Sequence, residues 1–306
     1  MAVSLRQLEY FVEVVDQGSF TMAAARLHVT QPGLSHQIQA LERDLGGPLL
    51  ERLPRGVRLT PAGRVALPHA RISLAHAGRA ASAARRASGV DAGELHVGTL
   101  FSISVGVLPK ALRVWRRSYP DIEVRLVEFR RSTDLIDAME AGAADLAVGP
   151  TPSDWDGPVQ SIGTEEFVIA AAAGLALPGH APSVRLADLA TSEWVHFTQP
   201  SGLADVLDAA CVAAGFEPRV AIRTEQASSA LALAAEGLGL TLVPGNVVPA
   251  TYDGLLLRPD PPVSRHLSIY TRVRPDPITE AFVSAIADST LATPTHIQER
   301  LGIVNP

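Results

Sequence analysis

The stretch TQPGLSHQIQALERDLG, residues 30–46, decides how the N-terminal part of this chain is read. Thr30 is a good helix N-cap, and Pro32 is tolerated in a first turn whose amides have no intrahelical partner. Leu34, Ile38, Leu41 and Leu45 then recur at steps of four, three and four, which marks the buried stripe of an amphipathic helix. The opposite face carries Gln31, Ser35, His36, Gln39 and Arg43, and Gly46-Gly47 closes the segment. Amides, a hydroxyl and an imidazole form directional bonds that can read base edges, whereas lysines would find only phosphate. Taken alone, the same face also fits an ordinary solvated helix.

The flanking sequence weighs between these two. Upstream, Leu5, Leu8, Phe11, Val12 and Val15 give a first amphipathic helix ended by Gly18, and the alanine-rich FTMAAARL gives a short second one capped by Ser19. Two short helices before a longer polar-faced one describe a helix-turn-helix. Downstream, PLLERLPRGVRLT reads as two short strands around a Pro54-Arg55-Gly56 turn, with Arg52, Arg55 and Arg58 suited to backbone phosphates. Thr60 and Pro61 then open a long alanine-rich helix to about Ala87, despite Pro68. Its stripe of Val65, Leu67, Ile72 and Leu74 implies either a partner helix or packing on the protein's own body, and dimerisation is the expectation.

The charge is unevenly distributed. The net charge of −6 hides 11 arginines against 6 acidic residues in positions 1–90, and 15 basic against 26 acidic residues afterwards. A basic head on an acidic body points to a polyanionic partner for the head alone. No apolar run reaches the roughly 18 residues of a membrane span, and the charges within MAVSLRQLEYFVEVVDQG exclude a signal peptide, so a cytoplasmic location is expected. The single cysteine, Cys211, excludes a two-cysteine intrachain switch and reads as a core residue.

The order LRQLEYFVEVVDQGSFTMAAARLHVTQPGLSHQIQALERDLGGPLLERLPRGVRLTPAG closely resembles the winged helix-turn-helix of LysR-type transcriptional regulators. The resemblance implies a DNA-binding domain at 1–60, a dimerising linker helix at 61–90, and an effector-binding domain at 91–306. Base reading would fall to Gln31, Pro32, Ser35, His36 and Gln39, and backbone contact to Thr30, Arg52, Arg55 and Arg58. It also implies a dimer of dimers on double-stranded DNA. Leu50 replaces a frequent phenylalanine, and His36 stands where arginine is also common.

After residue 91, strands such as GELHVGTL, IEVRLVEF, DLAVGP, EFVIAAAA and WVHFT alternate with helices, as expected of an α/β domain with a mostly parallel sheet. One helix is expected over FSISVGVLPKALRVWRRSYPD. The family resemblance adds a two-lobed layout like a periplasmic binding protein, with lobe I at about 91–163 and 266–306 and lobe II at about 164–265. Helices that begin at Ser102 and Ser104, Ser132 and Thr133, Ser201 (after Thr198-Gln199-Pro200) and Ser228-Ser229 would converge at strand carboxyl ends. Free amides there favour an anion, so a small carboxylate effector is expected on Phe101, Ser102, Ser104, Ser132, Thr133, Thr198, Gln199 and Ser201. The serines fit equally well as simple caps, and Phe101, Phe129 and Phe197 as either pocket wall or core.

No catalytic motif, metal ligand set or cofactor is expected. Gly237 and Gly239 form GxG in the wrong order, helix then strand, and His69 and His76 lack metal spacing. Two rivals remain. One is a small-molecule binding protein or enzyme with an incidental helical head, and the other is a non-specific architectural DNA binder. The tail 291–306 is expected to hold a short helix from Pro294-Thr295 to Leu301, packed on lobe I or frayed.

Overall fold

The structure is a computed structural model that describes residues 3–53, 56–87, 94–175, 182–287 and 294–301. The chain divides into two compact units, one built from residues 1–90 and 141–143 and the other from residues 91–140 and 144–306.

In the first unit, α1 (Leu5–Gln17) begins in a capping box: the Ser4 hydroxyl accepts from the Gln7 amide, and Gln7 Oε1 accepts from the Ser4 amide at 2.9 Å. Gly18, at φ 61°, closes it in the left-handed conformation. The buried stripe is Gln7, Tyr10, Phe11 and Val14, turned from the one expected, and Leu5 is 48% exposed. Two polar side chains can face inward because each is satisfied, Gln7 in the capping box and Tyr10 by accepting from Arg6 Nε at 2.7 Å. Helices α2 (Phe20–Arg26) and α3 (Gln31–Asp44) follow, with Ser19 and Thr30 as their caps. Ala23 and Ala24 let α2 approach closely, and Leu34, Ile38 and Leu41 fill the space beneath α3. Leu45 does not join them. It is the C-cap of α3 and exposed, because the helix ends there.

Strands β1 (Leu50–Leu53) and β2 (Gly56–Leu59) pair antiparallel as a wing, and Val57 N donates to Gly18 O at 3.1 Å to tie the hairpin to the α1–α2 turn. The Glu42 carboxylate accepts from the amides of Leu49 and Leu50, which holds the entry into β1. Helix α4 (Pro61–Ala87) starts at the Thr60 cap and crosses the backbone of Leu49 so closely that a Cβ on Gly63 would lie 2.0 Å from the Leu49 carbonyl oxygen. At 27 residues it is about 40 Å long. The expected stripe along it divides: Leu67 packs inward beside Ala66 and Ala70, while Val65 is 68% exposed.

The second unit contains β3 (Glu94–Leu100), α5 (Phe101–Gly106), α6 (Leu108–Ser118), β4 (Glu123–Phe129), α7 (Ser132–Glu140) and β5 (Leu146–Pro150) in its first lobe. The single helix expected over residues 101–121 is two helices, interrupted at Val107 ahead of Pro109, whose ring is tolerated only in a first turn. Strand β6 (Val159–Ala171) carries the chain into a second lobe holding β7 (Ser183–Arg185), β8 (Glu193–Phe197), α8 (Gly202–Ala213), β9 (Arg219–Thr224), α9 (Ala227–Ala235), β10 (Thr241–Pro244) and β11 (Leu255–Asp260). Strand β12 (Ser264–Tyr270) returns to the first lobe, and α10 (Pro277–Ala287) packs there through Phe282 and Ile286.

The main sheet is mixed and not mostly parallel. Its order is β4-β3-β5-β12-β6-β11-β7, with β10 also on β6. Pairings of β3 with β4 and β5 are parallel, but β12 is antiparallel to β5 and β6, and β10 and β11 are antiparallel to β6. The crossing strands impose this, since one must run out and the other back. Each lobe has its own core, one around Trp115, Phe282 and Tyr270 and the other around Trp194, Phe167 and Phe197.

The tail departs from the expected lobe assignment. Helix α11 (Thr295–Arg300) packs on the second lobe, where Ile297 and Leu301 are buried and Arg300 donates to the carbonyls of Tyr252 and Gly254. Residues 294–301 therefore do not belong with lobe I. Ile297 and Leu301, four apart on one helical face, find their apolar partners beside Val248 and Tyr252.

Candidate functional site

The outward face of α3 carries the residues expected to read bases. Pro32, His36 and Gln39 are exposed, and Gln31 and Ser35 are half-buried at its edge. Their spacing of three and four residues places them on the side away from Leu34, Ile38 and Leu41. Thr30 is exposed, and its hydroxyl accepts from Gly33 N at 3.3 Å, which leaves its own proton to donate outward. On the wing, Arg58 faces Glu51 in the ladder and is paired with it, Nη2 to Oε2 at 2.6 Å. Arg55 and the side chain of Arg52 lie outside the described residues.

In the second unit the two lobes enclose a cavity of about 310 Å³. Its wall comes from Leu100, Phe101, Ser102 and Val105 at the end of β3 and along α5, and from Glu128, Phe129 and Arg130 at the end of β4. Thr198, Pro200, Ser201, Gly202 and Leu203 lead into α8, Glu225, Gln226, Ala227 and Ser228 into α9, and Val247 and Arg265 complete it. These are mostly carboxyl ends of strands and first turns of helices, where ligands of α/β sheets sit. Phe101 is 48% exposed, and the surroundings combine aromatic surface with a few polar groups, as small-molecule pockets do.

Three helices begin in the wall, and the caps of α8 and α9 differ. At α8, Ser201 accepts from Leu203 N, and Gly202 N donates to Arg130 O at 2.9 Å. At α9 the N-cap is Gln226, whose side chain makes no capping hydrogen bond, and Gln226, Ala227 and Ser228 of this first turn line the cavity. Across the mouth, Arg130 donates to both oxygens of Glu225, and Arg131 pairs with Asp205 at 3.4 Å.

Of the residues expected to touch an effector, the cavity brings together Phe101, Ser102, Thr198 and Ser201, and Phe129 joins them. Ser104, Ser132, Thr133 and Gln199 stand outside the wall. Ser104 is engaged by the Phe101 carbonyl and the Glu128 carboxylate, Ser132 is the first residue of α7, and Gln199 is exposed. Phe197 is fully buried in the second-lobe core. Arg265 was missed. Its sole signal in the sequence is an arginine inside the apolar strand that returns to the first lobe. Cys211 is buried in α8, and burial with the nearby Asp208 pushes its thiol up to about 12, so it carries no thiolate at neutral pH.

Residues 5–64 match the bacterial regulatory helix-turn-helix protein, lysR family, and residues 88–290 match the LysR substrate binding domain. The chain belongs to the LysR family of transcriptional regulators. This LysR-family protein is a DNA-binding regulator with an effector-binding domain and is not an enzyme. It is 35% identical over 248 residues to the HTH-type transcriptional regulator TfdS of Cupriavidus pinatubonensis, covering 80% of this chain and 83% of that protein. It also resembles the crystal structure of CbnR, a LysR family transcriptional regulator, with a TM-score of 0.74 and 31% identity over 95% of this chain and all of CbnR. Full-length CbnR complexed with its target DNA matches with a TM-score of 0.72 and 31% identity, over 94% of this chain and all of that one.

Proposed function

We propose that this regulator reads an imperfect inverted repeat through α3 and responds to a small carboxylate bound between the lobes of its second unit. The observation that carries the DNA part is the face of α3, where uncharged hydrogen-bonding groups stand in place of lysines. Gln31, Pro32, Ser35, His36 and Gln39 contact base edges, and Thr30, Arg52, Arg55 and Arg58 contact phosphates. The relative CbnR is known with its target DNA, which supports the same mode of engagement here.

Two copies pair along the linker helix, residues 61–87. The exposed Val65 supports this, since an apolar side chain on a long helix gains by meeting another. Pairing sets two α3 helices about one turn of DNA apart, and a dimer of dimers would span two such sites. A DNA-bound regulator of this kind works in the cytoplasm.

The effector reading rests on the cavity. Ser102, Thr198 and Ser201 supply hydroxyls, α9 supplies a first turn with no side-chain cap, and Phe101 and Phe129 supply an aromatic wall. Ligand binding shifts the lobes only if it favours one arrangement over another. Selection of bound duplexes from a random pool at physiological salt, with and without a mixture of carboxylates, tests both parts. Recovery of an inverted repeat whose enrichment changes with the mixture is expected. Uniform binding of all duplexes with a steep salt dependence would replace this reading with an architectural one.

A further inference from the structure

The lobes are joined where β6 and β12 run side by side, and there Glu165 stands directly opposite Arg265. Both side chains are buried, Glu165 to 1% exposure and Arg265 to 11%, yet Arg265 forms part of the cavity wall. Its Nε is bound by Glu165 Oε2, its Nη2 donates to Ser102 Oγ at 2.9 Å, and its guanidinium lies 5.3 Å from the centre of the Phe167 ring. Nη1 meets no protein acceptor among the described residues. Glu165 Oε1 is buried without a hydrogen bond.

A buried ion pair is poor value as a stabilising device, because desolvation cancels most of its attraction, and unused polar groups worsen the balance. Its position gives it another use. By accepting from Arg265, the Ser102 hydroxyl keeps its proton free to donate. One wall of the cavity therefore sets a hydroxyl donor beside guanidinium donors, a combination suited to an acceptor-only group such as a carboxylate. The other arginine of the wall is engaged differently. Arg130 is exposed and held on both nitrogens by Glu225.

We propose that Arg265 receives the negative charge of the effector, with Glu165 as a resident counter-ion that holds the affinity down. The proposal rests on the reading of this cavity as the effector site and adds the group that selects an anion over its neutral isostere. The captured charge lies on the ladder that connects the lobes, so the hinge itself senses occupancy.

The test titrates phenylacetate and its uncharged isostere phenylacetamide into the full-length protein by calorimetry, the ring matching Phe101 and Phe129. Three forms are compared: the parent, Glu165→Gln, and Glu165→Gln combined with Arg265→Gln. The double variant exchanges the pair for two amides and leaves no lone buried charge to unfold the lobe. Glu165→Gln is expected to bind phenylacetate about tenfold tighter than the parent, and the double variant to lose that gain. Phenylacetamide should bind all three alike. Equal phenylacetate affinity in all three would leave the cavity as a site and remove Arg265 as its anion receptor. Binding of neither probe to any form would remove the cavity reading, and the proposal with it.

Discussion

The face of α3 and the wall of the interlobe cavity are built in opposite ways. Five candidate base-reading residues fall within positions 31–39, all displayed by one helix on one core. The cavity gathers its wall from positions as far apart as Leu100 and Arg265, delivered by strand ends of two lobes with separate cores. A reading surface on one helix depends on the integrity of a small module. An assembled cavity depends on how two lobes are joined. Damage to one unit should therefore leave the other standing, and variants can be ordered by how hard they test that independence.

The hardest test is Gly63→Ala. Its Cβ would sit 2.0 Å from the Leu49 carbonyl oxygen, a backbone atom that no rotamer change can move away. A loss of roughly 3 kcal/mol or more is expected in the winged module, enough to abolish specific duplex binding. Calorimetry should show the unfolding of the second unit unchanged. A joint fall of both transitions would mean that the units unfold as one.

The converse variant is Ile297→Ala, which empties a fully buried position under α11 in the second lobe. A cost of about 2–3 kcal/mol is expected there, with duplex binding by the first unit preserved. An unchanged thermal transition would show that α11 adds nothing to the second-lobe core.

These two positions also mark what the sequence makes legible. The helix-turn-helix, the wing and the α/β alternation follow from local periodicity and from caps such as Thr30 and Ser201, which act over two or three residues. Gly63 gives no local sign of its role, because the carbonyl it must admit belongs to Leu49, on the far side of β1 and β2 in the chain. The inward turn of α1 depended on Gln7 and Tyr10 being satisfied, which hydrophobicity alone does not register. In the cavity, Ser102 and Ser201 were found because helix starts are legible, whereas Arg265 faces the cavity only through pairing of β12 with β6. The tail went to the wrong lobe for the same reason: Ile297 marks a buried face but not which core receives it.

Gln31→Ala and Gln39→Ala test the reading surface without disturbing the core beneath it. Each should lose about 1–3 kcal/mol on the selected duplex and almost nothing on random duplex, measured by fluorescence anisotropy. Equal losses on both would assign these amides to the phosphate backbone.

The smallest effect concerns the wing, where Arg58 is held by Glu51 through Nε at 3.0 Å and Nη2 at 2.6 Å, both to the same carboxylate oxygen. Both side chains are largely in water, so the pair adds at most about 1 kcal/mol to the fold and Glu51→Gln should leave the melting temperature nearly unchanged. Release of the guanidinium should raise affinity for random duplex a few-fold. It should also steepen the dependence on salt by about one further phosphate contact, a change near 0.9 in the logarithmic slope. The same substitution should not alter which sequence is preferred, because a phosphate contact carries no base information. An unaltered slope would mean that Arg58 never faces the duplex.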